Sequence, residues 1–216
     1  MTSYSHLIDY NYILKIILVG DTNTGKTTIL NNYINLRRNY IVNDPTIGID
    51  FASRIITLQD NTRVKLQCWD TAGQEKFRCI VRSYFRDVCC YLLTFDVTCI
   101  SSFRNLTMWL NEIKQNQSCK KHDHPILLIG TKIDKSNRAI TKDMAIAFAE
   151  NNKLLYIELN ALTCDMLDNS MIQLVGGAIR DLGDKNCRGI KRIIHNVEIT
   201  TEIDDDTSKK PCCVIM

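Results

Sequence analysis

"GDTNTGKTT", Gly20 to Thr28, follows the apolar stretch "YILKIILV" and precedes "ILNNYINL". Gly20 and Gly25 bracket Asp21, Thr22, Asn23 and Thr24, and Lys26 and Thr27 come next, which is the spacing G-x-x-x-x-G-K-[ST]. In that spacing backbone N–H groups converge on phosphate oxygens, the lysine reaches the outer phosphates, and the hydroxyl binds Mg²⁺. A helix opening at Lys26, with Thr28 inside its first turn, aims its positive end at the same anion. An apolar run before the loop and an amphipathic run after it place the loop between a strand and a helix.

Working outward, apolar runs and amphipathic stretches alternate. Strands are predicted over 12–20, 53–59, 63–69, 89–95, 125–131 and 154–160, and helices over 26–36, 78–86, 101–116, 141–151 and 168–182. Continuous apolar runs such as "CCYLLTF" and "ILLIG" suit strands buried on both faces of a parallel sheet. The second and third strands are close enough to form an antiparallel hairpin. "SSF" and "TKDM" offer hydroxyl caps to the third and fourth helices. The expected fold is α/β, a doubly wound and mostly parallel six-stranded sheet flanked by helices, with its ligand at the strands' carboxyl ends.

Composition bounds the alternatives. The 216 residues suit one domain and a tail, and 45% apolar with 24% charged residues can build a core. A net charge of +3 gives no argument for nucleic acid. No apolar run approaches the roughly 20 residues that span a bilayer. "MTSYSHLIDYN" lacks a basic segment followed by an apolar one, so no secretory leader is expected, and Thr2 excludes N-myristoylation. The ten cysteines include no C-x-x-C pair, and Cys68, Cys89 and Cys90 lie in strand-like runs as small hydrophobes.

A phosphate loop alone fits an ATPase, a kinase or a GTPase. In "WDTAGQEKF", 69–77, Asp70 can hold Mg²⁺ through water, Gly73 can lend an N–H to a γ-phosphate, and Gln74 can orient an attacking water. "DPTIGIDF", 44–51, brings Thr46, a second hydroxyl for the metal. "GTKID", 130–134, ends a strand with Asp134, whose carboxylate can accept both N–H groups of guanine. Adenine would leave that carboxylate unpaired.

On these motifs the sequence resembles the Ras-like small GTPases, and within them the Rab family, over roughly residues 10–182. "GDTNTGKT" looks like the family's phosphate loop, "TIGIDF" its first switch and "KLQCWDTAGQEKFR" its second; "RSYFRDV" and "LLTFDVT" look like the elements that follow. The resemblance implies GTP or GDP with Mg²⁺ as ligands. Thr27, Thr46 and Asp70 then serve the metal, and Gln74, Lys26 and Gly73 serve catalysis. Thr131, Lys132 and Asp134 hold the base, with Asn160, Ala161 and Leu162 beside it and Tyr40 at the guanine edge. Ile47, Gly48, Ile49, Asp50, Phe51, Trp69 and Tyr84 form the surface offered to effectors; as aromatics, Phe51, Trp69 and Tyr84 fit simple packing equally well. Expected partners are an exchange factor, an activating protein, Rab-type effectors, the prenylation machinery and a lipid-shielding escort, on a monomer.

The sequence also departs from the family. Thr22 stands where a small residue is common, and Asn23 where glycine is frequent, although Asn tolerates positive φ. "NALT" has Asn160, Ala161 and Leu162 in place of Ser-Ala-Lys. Thr131 replaces the usual Asn, and the segment from Lys26 to Thr46 is one residue longer than usual. Thr22 predicts slow intrinsic turnover. Besides a trafficking switch, the sequence therefore admits a nucleotide-binding module with very slow or absent hydrolysis; "TKID" and "TIGIDF" argue against an ATPase or small-molecule kinase.

The domain is read as 1–182 and a flexible tail as 183–216, within which "IKRIIHNVEI" can order on a partner. The tail ends in "KKPCCVIM", where Cys213 fits C-a-a-X and Cys212 offers a second lipid site. One lipid anchors only marginally, so two signals are expected. The expected location is the cytoplasmic face of an intracellular membrane, in exchange with cytosol.

Overall fold

The apolar run over 12–20 forms β1 (Tyr12–Gly20), with every residue from Ile16 to Gly20 buried. A strand buried on both faces belongs inside a parallel sheet. That is its place in the computed structural model, which describes residues 9–37, 49–71, 85–116, 124–182 and 190–193.

The phosphate-loop segment leads into α1 (Lys26–Ile29), which runs on as a π-helical turn over Leu30–Ile34. There Asn35 N–H reaches back to Leu30 O at 3.0 Å, while the Asn31 and Asn32 amides cap the carbonyls of Thr27 and Thr28, each at 3.0 Å. A π turn holds one residue more than the α turn it replaces, the size of the surplus counted before Thr46. Strands β2 (Ile49–Thr57) and β3 (Arg63–Thr71) form the expected antiparallel hairpin, pairing Ile49 with Thr71 and Thr57 with Arg63. β2 begins four residues before the sequence-based estimate of 53, because pairing with β3 extends it.

β4 (Cys90–Asp96) and β5 (Ile126–Thr131) are buried throughout. The helix expected over 101–116 is two pieces, α2 (Ile100–Arg104) and α3 (Leu106–Asn116), with Asn105 between them. The expected hydroxyl cap at "SS" is corrected: Cys99 is the N-cap, its side chain meeting Ser101 Oγ at 3.0 Å but capping no backbone N–H, and Ser102 instead donates to Cys99 O at 2.8 Å. Helix α4 (Lys142–Asn151) does carry its expected cap, Thr141 accepting from Met144 N–H. β6 (Leu155–Glu158) and α5 (Leu167–Leu182) complete the alternation.

The sheet runs β2-β3-β1-β4-β5-β6, parallel except for β2. Residue parity along β1 divides the core in two. Leu14, Ile16 and Leu18 pack with Ile29, Leu30, Met171, Leu174 and Val175; Ile17 and Val19 pack on the other face with Leu106, Trp109, Leu110 and Ala145. Helices thus cover both faces, the doubly wound arrangement. Cys68, Cys89 and Cys90 are buried free thiols, as their apolar surroundings predict, and burial pushes the Cys68 thiol up.

Among the described residues the sheet has seven strands, where six were expected. β7 (Ile190–Arg192) pairs antiparallel with β1, Tyr12 opposite Arg192 and Leu14 opposite Ile190. β3 holds one edge of β1 from Tyr12, and β4 joins the other only from Ile16, so β7 fills the stretch that β4 leaves open. This piece of the tail, which the sequence allows to order on a partner, pairs with the chain's own sheet. Among the described residues no helix is long and apolar enough to cross a membrane.

Candidate functional site

The site stands at the carboxyl ends of β1, β3, β4 and β5. The loop leaving β1 needs three left-handed residues, Gly20 (φ 141°), Asn23 (φ 64°) and Gly25 (φ 91°). Asn23 adopts the conformation its residue type tolerates, and Thr22 and Asn23 are exposed. Gly20 is irreplaceable on space as well, since an added Cβ would come within 2.4 Å of Thr94 O.

Side chains hold this loop from several sides. The buried Thr24 hydroxyl meets Thr94 Oγ1 of β4 at 2.6 Å and donates to Asp21 O at 2.9 Å. Lys26 Nζ donates to Gly20 O (3.0 Å) and Asp21 O (2.7 Å), which folds the side chain over the loop. Burial lowers its pKa to about 8, against the opposing pull of Asp70 and Asp21. Such an ammonium, held by carbonyls among the described residues, is suited to a stronger anionic partner. The Thr27 hydroxyl donates to Asp70 Oδ2, and Asp70 is fully buried near the end of β3. A hydroxyl and a carboxylate meeting beside a phosphate loop form a hard oxygen donor pair, which fits Mg²⁺.

The base side is built from β5 and two loops. Thr131 donates to Thr24 O (2.8 Å) and Phe95 O (3.0 Å), so the expected base loop is bonded to the phosphate loop. Lys132, at φ 63°, pairs with Asp96 Oδ2 at 2.8 Å. Burial pushes the Asp96 carboxyl up, but the bonds from Lys132 and Thr98 prevail and hold it below the ordinary range. Asp134 is exposed, its one ion pair among the described residues being with Lys135 Nζ at 3.9 Å, and its carboxylate is open to a ligand. Asn160 Oδ1 accepts from Leu162 N–H at 2.9 Å, which shapes the turn that carries the buried Ala161. A Cβ on Gly25 would lie 3.4 Å from Ala161 Cβ and 3.5 Å from Thr131 Cγ2. Three motifs far apart in the chain therefore meet around one point.

On the neighbouring hairpin, Phe51 and Trp69 pack in a tilted arrangement, 4.8 Å between ring centroids and 54° between planes, Phe51 remaining 45% exposed. Asp50 is exposed beside them, and Ile49 opens β2. Tyr40, Thr46, Ile47, Gly48, Gly73, Gln74, Tyr84, Cys212 and Cys213 lie outside the described residues. Sequence reading missed Thr94 and Asp96 on β4. The available signal was a hydroxyl and a carboxylate closing an apolar run at the carboxyl end of a parallel strand, where α/β sheets bind ligands.

A model of the Ras family matches residues 15–180. The chain belongs to the Ras family. The match runs from β1 almost to the end of α5, so it takes in every described part of this site. Within the Ras family the chain is similar to Ras-related protein Rab-2B of Dictyostelium discoideum, 40% identical over 171 residues that cover 78% of this chain and 79% of that protein. This Ras-family chain is a Rab-like switch of vesicle traffic that binds guanine nucleotide and hydrolyses GTP. The alternative of a module without effective hydrolysis is not favoured.

Proposed function

We propose that Gly20–Thr28 cradles the phosphates of GTP and GDP, with Lys26 on the outer phosphates. Thr27, Thr46 and, through water, Asp70 hold Mg²⁺, which when bound neutralises phosphate charge. Gln74 and Gly73 serve hydrolysis at the γ-phosphate, and Thr131, Lys132, Asp134 and Ala161 select guanine. Asn160 and Leu162 complete the base loop, and Tyr40 closes its edge. The observation that carries this reading is the meeting of Thr27 with Asp70 and of Gly25 with Thr131 and Ala161.

Switch residues 47–51 with Trp69 and Tyr84 are read by effectors in the GTP state; the exposed Phe51, packed on Trp69, supports this. An exchange factor and an activating protein set the lifetime of each state. Residues 1–182 form the switch and 183–216 the tail, lipidated on Cys213 and Cys212 by prenylation machinery and carried through cytosol by a lipid-shielding escort. It acts at the cytoplasmic face of an intracellular membrane.

The test is metal dependence. Chelating Mg²⁺ from the GDP-loaded full chain should speed GDP release by about tenfold or more, and Thr27→Ala should remove most of that response. Release that ignores chelation in the parent chain would overturn the metal assignment. Intact mass of the chain from eukaryotic cells reads the lipid number directly, two being expected.

A further inference from the structure

The carboxylate of Asp21 turns away from the phosphate loop and toward α3. Its Oδ2 accepts from Asn105 Nδ2 at 2.7 Å and its Oδ1 from the Trp109 indole N–H at 2.8 Å. Asn105 and Trp109 are four residues apart, which sets both donors on one side of the helix. Meanwhile the backbone carbonyl of Asp21 accepts from Lys26 Nζ and Thr24 Oγ1. Asp21 thus joins the loop lysine to α3. Trp109 is only 3% exposed and packs in the core cluster of Ile17 and Val19, so the core fixes where its N–H points.

An ionised carboxylate two neutral donors hold in place is strongly bonded. Without them it is an anion on a short stem beside the Lys26 ammonium, and opposite charges at a few ångströms attract. Paired with Asp21, the lysine would be lost to a phosphate, and the carboxylate would repel the nucleotide. We infer that Asn105 and Trp109 are positioning residues of the phosphate loop, holding the Asp21 carboxylate off Lys26 so that the lysine stays available to the nucleotide's phosphates. This rests on the reading of Gly20–Thr28 as the phosphate cradle.

The experiment is a double-mutant cycle on GDP release from the GDP-loaded full chain. Trp109→Phe keeps a ring and removes the N–H; Asn105→Leu tests the more accessible donor and does not depend on core packing. Release should quicken about tenfold in Trp109→Phe and severalfold in Asn105→Leu. In an Asp21→Ala background neither change should add anything, because the anion it restrains is gone. Preference for GDP over ADP should be unchanged throughout, and the indole N–H of Trp109 should exchange slowly with solvent in the parent. Equal acceleration with and without Asp21 would assign both residues to packing and overturn the inference, as would unchanged release in both single variants. A parent chain that holds no nucleotide would instead contradict the phosphate-loop reading itself.

Discussion

At its carboxyl end β1 hands the chain to a loop held by side chains, whereas at its amino end it is held by backbone. Above Gly20 the holding groups are the Thr24, Thr94 and Thr131 hydroxyls, the Lys26 ammonium and the Asp21 carboxylate. Below Ile16 they are strand pairings to β3 and β7, with Asn11 bonding Arg63 at its N–H and Ile193 at its carbonyl. The upper end carries strained backbone and named side chains because a loop that leaves its N–H groups for a ligand cannot spend them on a ladder. The lower end asks mainly for extended chain, its side-chain help being Asn11 Oδ1, which accepts from Arg63 N–H at 2.8 Å, and the Arg63–Asp9 ion pair. Function at one end and closure at the other therefore demand different sequence information.

The largest expected effect falls on the upper end. Gly20→Ala adds a Cβ within 2.4 Å of Thr94 O at φ 141°, and should cost about 3 kcal/mol or more in denaturant unfolding, with loss of bound nucleotide. Parent-like stability would break the claim that this end is strained. Next, Asp96→Asn removes the counter-charge of Lys132, and GDP affinity by calorimetry should fall about tenfold. The same variant tests pH dependence. Asp96 is held below its ordinary range, so its contribution to stability is present above about pH 4 and lost as pH falls through the lower folded value. Stability of the variant should therefore decline less steeply on the acid side; an identical slope would contradict this.

Thr22→Gly sharpens the account at an exposed position. Single-turnover GTP hydrolysis should rise roughly three- to tenfold, if the β-branched side chain crowds the attacking water, and a rate equal to the parent's would remove Thr22 as a determinant of turnover. The smallest effect belongs to the lower end. Ile190→Ala should cost about 1 kcal/mol, since its side chain packs only partly buried against the core on the Leu14 face, yet the amides of Tyr12 to Leu14 should exchange faster. A large loss of stability would make β7 part of the core instead of a cover for an open edge.

The same contrast explains what the sequence revealed. The Gly20–Thr28 loop was legible as a turn between strand and helix because its glycines stand at fixed spacing after an apolar run, and the strands of the centre because burial on both faces leaves continuous apolar runs. β7 was not, since three residues of backbone pairing carry no side-chain pattern. Trp109 reads as an ordinary core position of an amphipathic helix, and it is one; its N–H has a second task that periodicity cannot register. The π turn after Ile29 was hidden because five residues do not separate its period from that of an α-helix. Asp134 and Lys132 were legible as a motif, but the Asp96 that anchors Lys132 lies 36 residues before it and shares no spacing rule.

The central claim is that the three motifs meeting at Gly25 form a guanine-nucleotide pocket. The most direct measurement is to purify the full chain with Mg²⁺ present, denature it, and identify what it releases by chromatography. Close to one guanine nucleotide per chain, mostly GDP, is the expected result. Adenine nucleotide, or protein that is empty, would contradict it.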